Sequence, residues 1–149
     1  MKFVFKFERL LKIRYYTLEK LENQLAILQS ELYRETENLK NMYRTLEETY
    51  KTLTDCLTGS IDVRHITSLK HYTEKISSDI DIQKKIIIQL NNEISAKKKQ
   101  VMIAMQKVKV LEKLKEKQYA KFLKDLEYKE NLTLDEIGTN QYLRKQLEK

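Results

Sequence analysis

Counted in sevens from Val4, the chain places Leu11, Leu18, Leu25, Leu32, Leu39, Leu46 and Leu53 at one recurring position, so eight consecutive members of that class are apolar. The class three residues on reads Phe7, Arg14, Leu21, Leu28, Glu35, Met42, Thr49 and Cys56, apolar at five places and polar at three. A strict seven-residue repeat winds slowly around a helix of 3.6 residues per turn, so the stripe can be buried only by a partner helix that supercoils with it. The pattern breaks at DCLTGSIDVRH, where Gly59 can take the left-handed conformation that closes a helix and Ser60 or Asp62 can cap the next one. A second register then runs Ile66, Thr73, Ile80, Ile87, Ile94, Val101, Val108, Lys115 and Phe122, accompanied by Leu69, Ile76, Gln83, Leu90, Lys97, Ala104, Leu111 and Gln118.

Two facing stripes joined by one turn predict an all-α fold, a long antiparallel two-helix coiled-coil hairpin in a single domain. Helix one is expected at about 3–56, the turn at about 57–62 and helix two at about 63–137. A C-terminal tail follows at 138–149, with Gly138 ending the helix. At 1.5 Å per residue helix one is roughly 80 Å long, and the heptad-bearing part of helix two, about 62–128, is longer by some three turns. Polar Arg14, Glu35, Gln83 and Lys97 cost seam stability but fix register and strand number. A monomeric hairpin is the first expectation and a dimer of straight helices the alternative.

Composition sharpens this picture. Two glycines, no proline and 34% charged residues leave little turn chemistry for sheets or compact α/β domains. The single Cys56 rules out an intramolecular disulfide and a thiolate metal cage. Lys6, Glu8 and Arg9 interrupt the apolar opening before a signal-peptide core forms, and no stretch approaches a membrane span, so a soluble cytoplasmic protein is expected.

The net charge of +7 is unevenly placed. Residues 97–124 hold ten lysines against Glu112 and Glu116, a local +8, and residues 125–136 hold five acids against Lys129, a local −4. These lysines alternate with seam residues, bring no arginine forks and have only Tyr119 and Phe122 for stacking, so nucleic acid is not the expected partner.

Candidate chemistry is sparse. His65 and His71 lie six apart without a ligand at helical spacing, and there is no phosphate loop, nucleophile elbow or HExxH, so no metal, no cofactor and no enzyme activity are expected. The adjacent acids Asp135 and Glu136 diverge by about 100° on a helix and do not make an acid–base pair. Tyrosines are more informative. Tyr43 and Tyr50 are one heptad apart and off the seam, and Tyr72 lies beside Leu69 and Ile76, positions that suit recognition.

Four stretches carry a family resemblance: the opening FVFKFERLLKIR, Leu46 and Tyr50 leading after nine residues to Gly59, LKHYTEKI at 69–76, and the closing ENLTLDEIG. Together they resemble FliJ, a soluble component of the bacterial flagellar type III export apparatus. Glu130, Leu134, Asp135, Glu136 and Ile137 match the family's terminal pattern, while Asn131, Leu132 and Gly138 differ.

The resemblance implies a hairpin similar to the central stalk of rotary ATPases. Its terminal end would enter the hexameric export ATPase and promote ring assembly and hydrolysis, without the chain itself hydrolysing ATP. It also implies binding to the cytoplasmic domain of the export gate and to export chaperones, at the inner membrane of the flagellar base through those partners. Carried over by position, the gate contact comprises Tyr50, Tyr72 and Ile76, with Leu39, Tyr43, Leu46, Asp79 and Gln83 as neighbours. The ATPase contact comprises Phe7, Leu11, Leu134, Asp135, Glu136 and Ile137. An injectisome stalk protein, a basic nucleic-acid-binding helix protein and a structural tether are the competing readings.

Overall fold

The heptad classes become two helices in a computed structural model that describes residues 1–149: α1, Glu8–Cys56, and α2, Val63–Leu147. There is no strand, and the two helices pack against each other as an all-α helical hairpin. Every seam position of α1 from Leu11 to Cys56, and every one of α2 from Ile66 to Phe122, is buried or half-buried. Burial rarely goes further, because a helix with a single partner covers only one stripe. The buried apolar residues are Phe5, Leu11, Ile76, Ile80, Ile94, Val101, Ala104 and Val108.

The connection follows cap chemistry. Gly59 has φ of 92°, the left-handed region that side chains disfavour. Asp62 caps α2: its Oδ1 accepts from the Arg64 backbone N–H at 3.1 Å and its carbonyl accepts from the Ile66 N–H at 3.1 Å. Gly138 behaves differently from the expectation. The chain stays helical through it to Leu147, so residues 138–147 are helix rather than tail. One interior glycine costs only about 1 kcal/mol relative to alanine, too little to end a helix without a following cap. Thr139 hydrogen-bonds back to the Asp135 carbonyl at 2.9 Å, and Arg144 and Lys145 lie in the last turn, where cations suit the helix dipole. As a result α2 has 85 residues against 49 in α1, a difference of about ten turns rather than three.

The chain divides into two units, each built from a length of both helices. In the unit formed by Glu19–Met102, α1 and α2 run antiparallel: Gln24 pairs with Lys97, whose Nζ donates to Gln24 Oε1 at 3.0 Å, and Glu35 pairs with Gln83. Gln83 Nε2 donates both to the Glu35 carbonyl at 3.0 Å and to the Glu35 carboxylate. The polar seam residues Thr49 and Thr73 are satisfied by carbonyls of their own helix, at 2.7 Å each. No buried side-chain nitrogen or oxygen lacks a partner. The polar seam positions therefore act as register pins, because a slip of either helix would orphan Gln83 and Glu35 together.

The Gln83 amide holds Glu35 below the usual carboxylate range, against the opposing effect of burial, with smaller help from Asn38 and Arg34. A depressed folded-state pKa contributes stability that is present above the unfolded value of about 4.3 and lost as pH falls through the folded value. Thermal melts between neutral pH and pH about 3 are expected to show a falling midpoint, with Glu35→Gln flattening that fall below pH about 4.3. An identical pH profile in the variant would remove Glu35 from the account.

The other unit, Met1–Leu18 with Ile103–Lys149, holds the tightest cluster: Phe5, Leu11 and Val108, flanked by Phe3, Leu18, Leu111 and Leu114. Here too the helices run antiparallel, with Glu8 on Lys115 at 2.8 Å and the Tyr15 hydroxyl donating to Glu112. That hydrogen bond to a carboxylate raises the Tyr15 pKa. Residues 1–7 are not helical, contrary to the expected start near residue 3. Phe3 packs on Tyr119 and Phe122, with ring centroids at 5.2 and 5.5 Å, and Lys129 Nζ lies 3.9 Å from the Met1 sulfur. From Lys115 to Lys129, α2 rises roughly 21 Å, a span that seven extended residues can follow and seven helical ones, at roughly 10 Å, cannot. The extended segment thus covers α2 where α1 no longer reaches.

Candidate interaction surfaces

With each seam closed on itself, interaction chemistry must come from what the helices leave outside. In the Glu19–Met102 unit the outward tyrosines stand apart. Tyr43, Leu46 and Tyr50 line one shallow groove on α1 together with Glu47, Lys51, Thr54 and Asp55. Their spacing of three, four and seven residues places them on one side of the helix. Lys84 of α2 lies 5.7 Å from the centroid of the Tyr43 ring, a cation–π contact that anchors one edge of the groove. Tyr72, also exposed, stands on α2 and is not part of this groove.

In the other unit two features meet. One is a groove lined by Met1, Leu126, Lys129, Glu130, Thr133 and Leu134. The other is the remainder of α2, in which every residue from Glu127 to Lys149 is exposed. This length includes Leu132, Leu134, Ile137, Tyr142, Leu143 and Leu147, an apolar content unusual for a helix with nothing packed on it. Asp135 and Glu136 lie between Leu134 and Ile137 and are exposed as well.

The family model described as Flagellar FliJ protein matches residues 1–147. This chain belongs to the FliJ family. Comparison with curated proteins and with solved structures gave no match. FliJ membership assigns the chain a role in flagellar type III protein export, and the family is a non-enzymatic export component. No helix is long and apolar enough to cross a membrane.

The resemblance-based contact residues of this FliJ chain separate by burial. Tyr43, Tyr50 and Tyr72 are open to a partner, whereas Ile76 and Gln83, 7% and 6% exposed, are seam residues and present no contact surface. Leu46 and Leu39 are half-buried, and so is Asp79. At the other end Leu134 and Ile137 are 65% and 49% exposed, but Leu11, 2% exposed, is core and cannot touch a ring. Phe7 keeps one edge open and rests against Phe5, with ring centroids at 5.9 Å. The reason for the misplacements is geometric: Ile76, Gln83 and Leu11 occupy seam positions of the heptad, and a seam side chain is spent on the other helix. Met1, Phe3, Leu126 and Lys84 were not singled out from sequence as surface residues. The signal for Phe3 was present in the alternation of Phe3 and Phe5 about the exposed Val4, a period of two that marks extended chain before the turn at Lys6 and Phe7.

Proposed function

We propose that this FliJ-family chain binds the hexameric export ATPase through its terminal end and the cytoplasmic domain of the export gate through the tyrosine-bearing surface. In this reading it promotes ring assembly and ATP hydrolysis by the ATPase, helps couple proton motive force to secretion through the gate, and works with export chaperones. Its place at the membrane of the flagellar base comes through these partners. The observation that supports the reading most is the uncovered length of α2 beyond Leu126. A helix of this length gains little from propensity alone and is stabilised mainly by burying an apolar face, so Leu134 and Ile137 are worth most when a partner covers them. Asp135 and Glu136 then select a partner surface that offers cations or hydrogen-bond donors.

Ring formation tests the ATPase half. Adding the purified chain to the cognate export ATPase should shift it from subunits to hexamers by sedimentation; an unchanged distribution at saturating chain contradicts the reading.

The gate half rests on the half-exposed tyrosines. Tyr50→Ala combined with Tyr72→Ala is expected to reduce retention of a gate cytoplasmic fragment in a pull-down by about tenfold or more, since aromatic anchors typically carry over 1 kcal/mol each. Helicity and melting should stay nearly unchanged, because neither ring is in the seam. Collapse of helicity in this variant would make the rings structural, and full retention would remove them from the contact.

A further inference from the structure

In the unit that contains Met1–Leu18 and Ile103–Lys149, one flank of α2 carries a stripe of one chemical character. Ile103, Lys107, Val110, Lys113, Lys117, Lys121 and Lys124 follow at steps of four, three, three, four, four and three residues, and all seven are exposed. Those steps keep them on one flank of the helix, roughly 120° round from the seam residues Ala104, Val108, Leu111 and Phe122. The acids of this length are elsewhere. Glu112 accepts a hydrogen bond from Tyr15, and Glu116 lines a groove with Leu11, Tyr15 and Phe3, so both turn toward α1. Five lysines, Lys107 to Lys124, therefore stand along roughly 26 Å of helix with no carboxylate between them on that face, and Asp125 follows just past its end.

We propose that this stripe lies against an anionic lipid surface. Three features select a bilayer over other anionic partners. The cations are all lysine, point charges without the planar fork by which arginine pairs carboxylates or phosphates two bonds at a time. The stripe has only Ile103 and Val110 as exposed apolar members; Leu114, in one column with Lys107 and Lys121, is half-buried against the Phe5, Leu11 and Val108 cluster and is not available to a partner. A protein groove that receives a helix reads apolar anchors at three-, four- and seven-residue spacing along its length, and this face lacks them. Its one aromatic neighbour is Tyr128 past its C-terminal end, a single ring where a nucleic-acid strand stacks successive bases on several.

What remains is charge spread along a line, which suits the diffuse negative potential of a membrane surface. There each nearby lysine contributes about a fivefold gain in partition and the attraction fades within a Debye length. Ile103 and Val110 add shallow apolar contact at one end. The contact is direct, and it stands whether or not the ATPase and gate readings hold.

The test is co-sedimentation of the full-length chain with vesicles of mixed phosphatidylglycerol and phosphatidylcholine, beside vesicles of phosphatidylcholine alone. Binding to the anionic vesicles that weakens with salt, and none to the neutral ones, is expected. Lys113→Gln with Lys117→Gln and Lys121→Gln should lower the partition by about 100-fold. Glutamine keeps the helix propensity of lysine, so circular dichroism should be unchanged. The control is Lys70→Gln with Lys75→Gln and Lys85→Gln, which removes the same charge from exposed lysines outside the stripe and should lower it far less. An equal loss in both triple variants would reduce the effect to net charge and overturn the proposal. So would absence of binding to anionic vesicles, or tighter binding to duplex DNA than to vesicles at the same salt.

Discussion

Leu11→Ala is expected to lower the thermal midpoint by about 10 °C. Leu11 is the most buried of the core side chains at 2% exposure, and it joins Phe5 to Val108 with Leu18, Leu111 and Leu114 around it. Removing a buried leucine side chain costs about 2–5 kcal/mol, depending on how far the surroundings relax into the space. With only one partner helix and the extended N-terminal segment to close the gap, about 3 kcal/mol is reasonable, and chains of this size lose about 2–4 °C per kcal/mol. Ile13, two residues away but outward-facing, provides the comparison: Ile13→Ala should shift the midpoint by only a degree or two. Melts followed by circular dichroism check both. If Leu11→Ala and Ile13→Ala shift the midpoint equally, burial of the heptad stripe is not what holds the two helices together.

The second large effect concerns function. Leu134→Ser together with Ile137→Ser is expected to raise the concentration of chain needed for half-maximal stimulation of the cognate export ATPase by about 100-fold or more. Full burial of a leucine or isoleucine is worth about 1.5–3 kcal/mol, and each 1.4 kcal/mol is a factor of ten in affinity. Within the chain the same change removes little, since Leu134 shares only the shallow groove beside Met1 and Leu126, and Ile137 lies beyond it. Melting of the seam should therefore stay within about 1 kcal/mol of the wild type. The pairing with Leu11→Ala is informative: one substitution should damage the fold, and the other should damage only the partner contact.

The seam was legible in the sequence because burial in a two-helix protein is set almost entirely by the heptad. The two leucine- and isoleucine-based registers, with their polar members Arg14, Glu35, Gln83 and Lys97, correspond to the buried and half-buried positions from Leu11 to Phe122. The turn was legible too, since Gly59 and Asp62 each carry a local chemistry that has one use there. The ends were harder. The heptad count begins at Val4, yet Val4 is 79% exposed, because an extended segment places Phe3 and Phe5 on α2 in its stead. A seven-residue count assumes helix, and it hides a change of period that the alternation of Phe3 and Phe5 about Val4 reveals.

Gly138 misled for a related reason. A glycine ends a helix only when the following chain supplies a left-handed cap, and Thr139 to Leu147 continue in helical conformation. Among the contact residues, side-chain type pointed to the tyrosines, which are open. The family resemblance pointed also to Ile76, Gln83 and Leu11, which the opposite helix covers. The register that identifies the fold also identifies which side chains it consumes, and contact candidates are better sought off the seam.

ATP hydrolysis by the cognate export ATPase, measured as this chain is titrated in, tests the central claim most directly. The account predicts a saturable rise in hydrolysis with the wild-type chain and a curve displaced to higher concentration with Leu134→Ser and Ile137→Ser. A flat curve with the wild-type chain, or superimposable curves for the two, would contradict it.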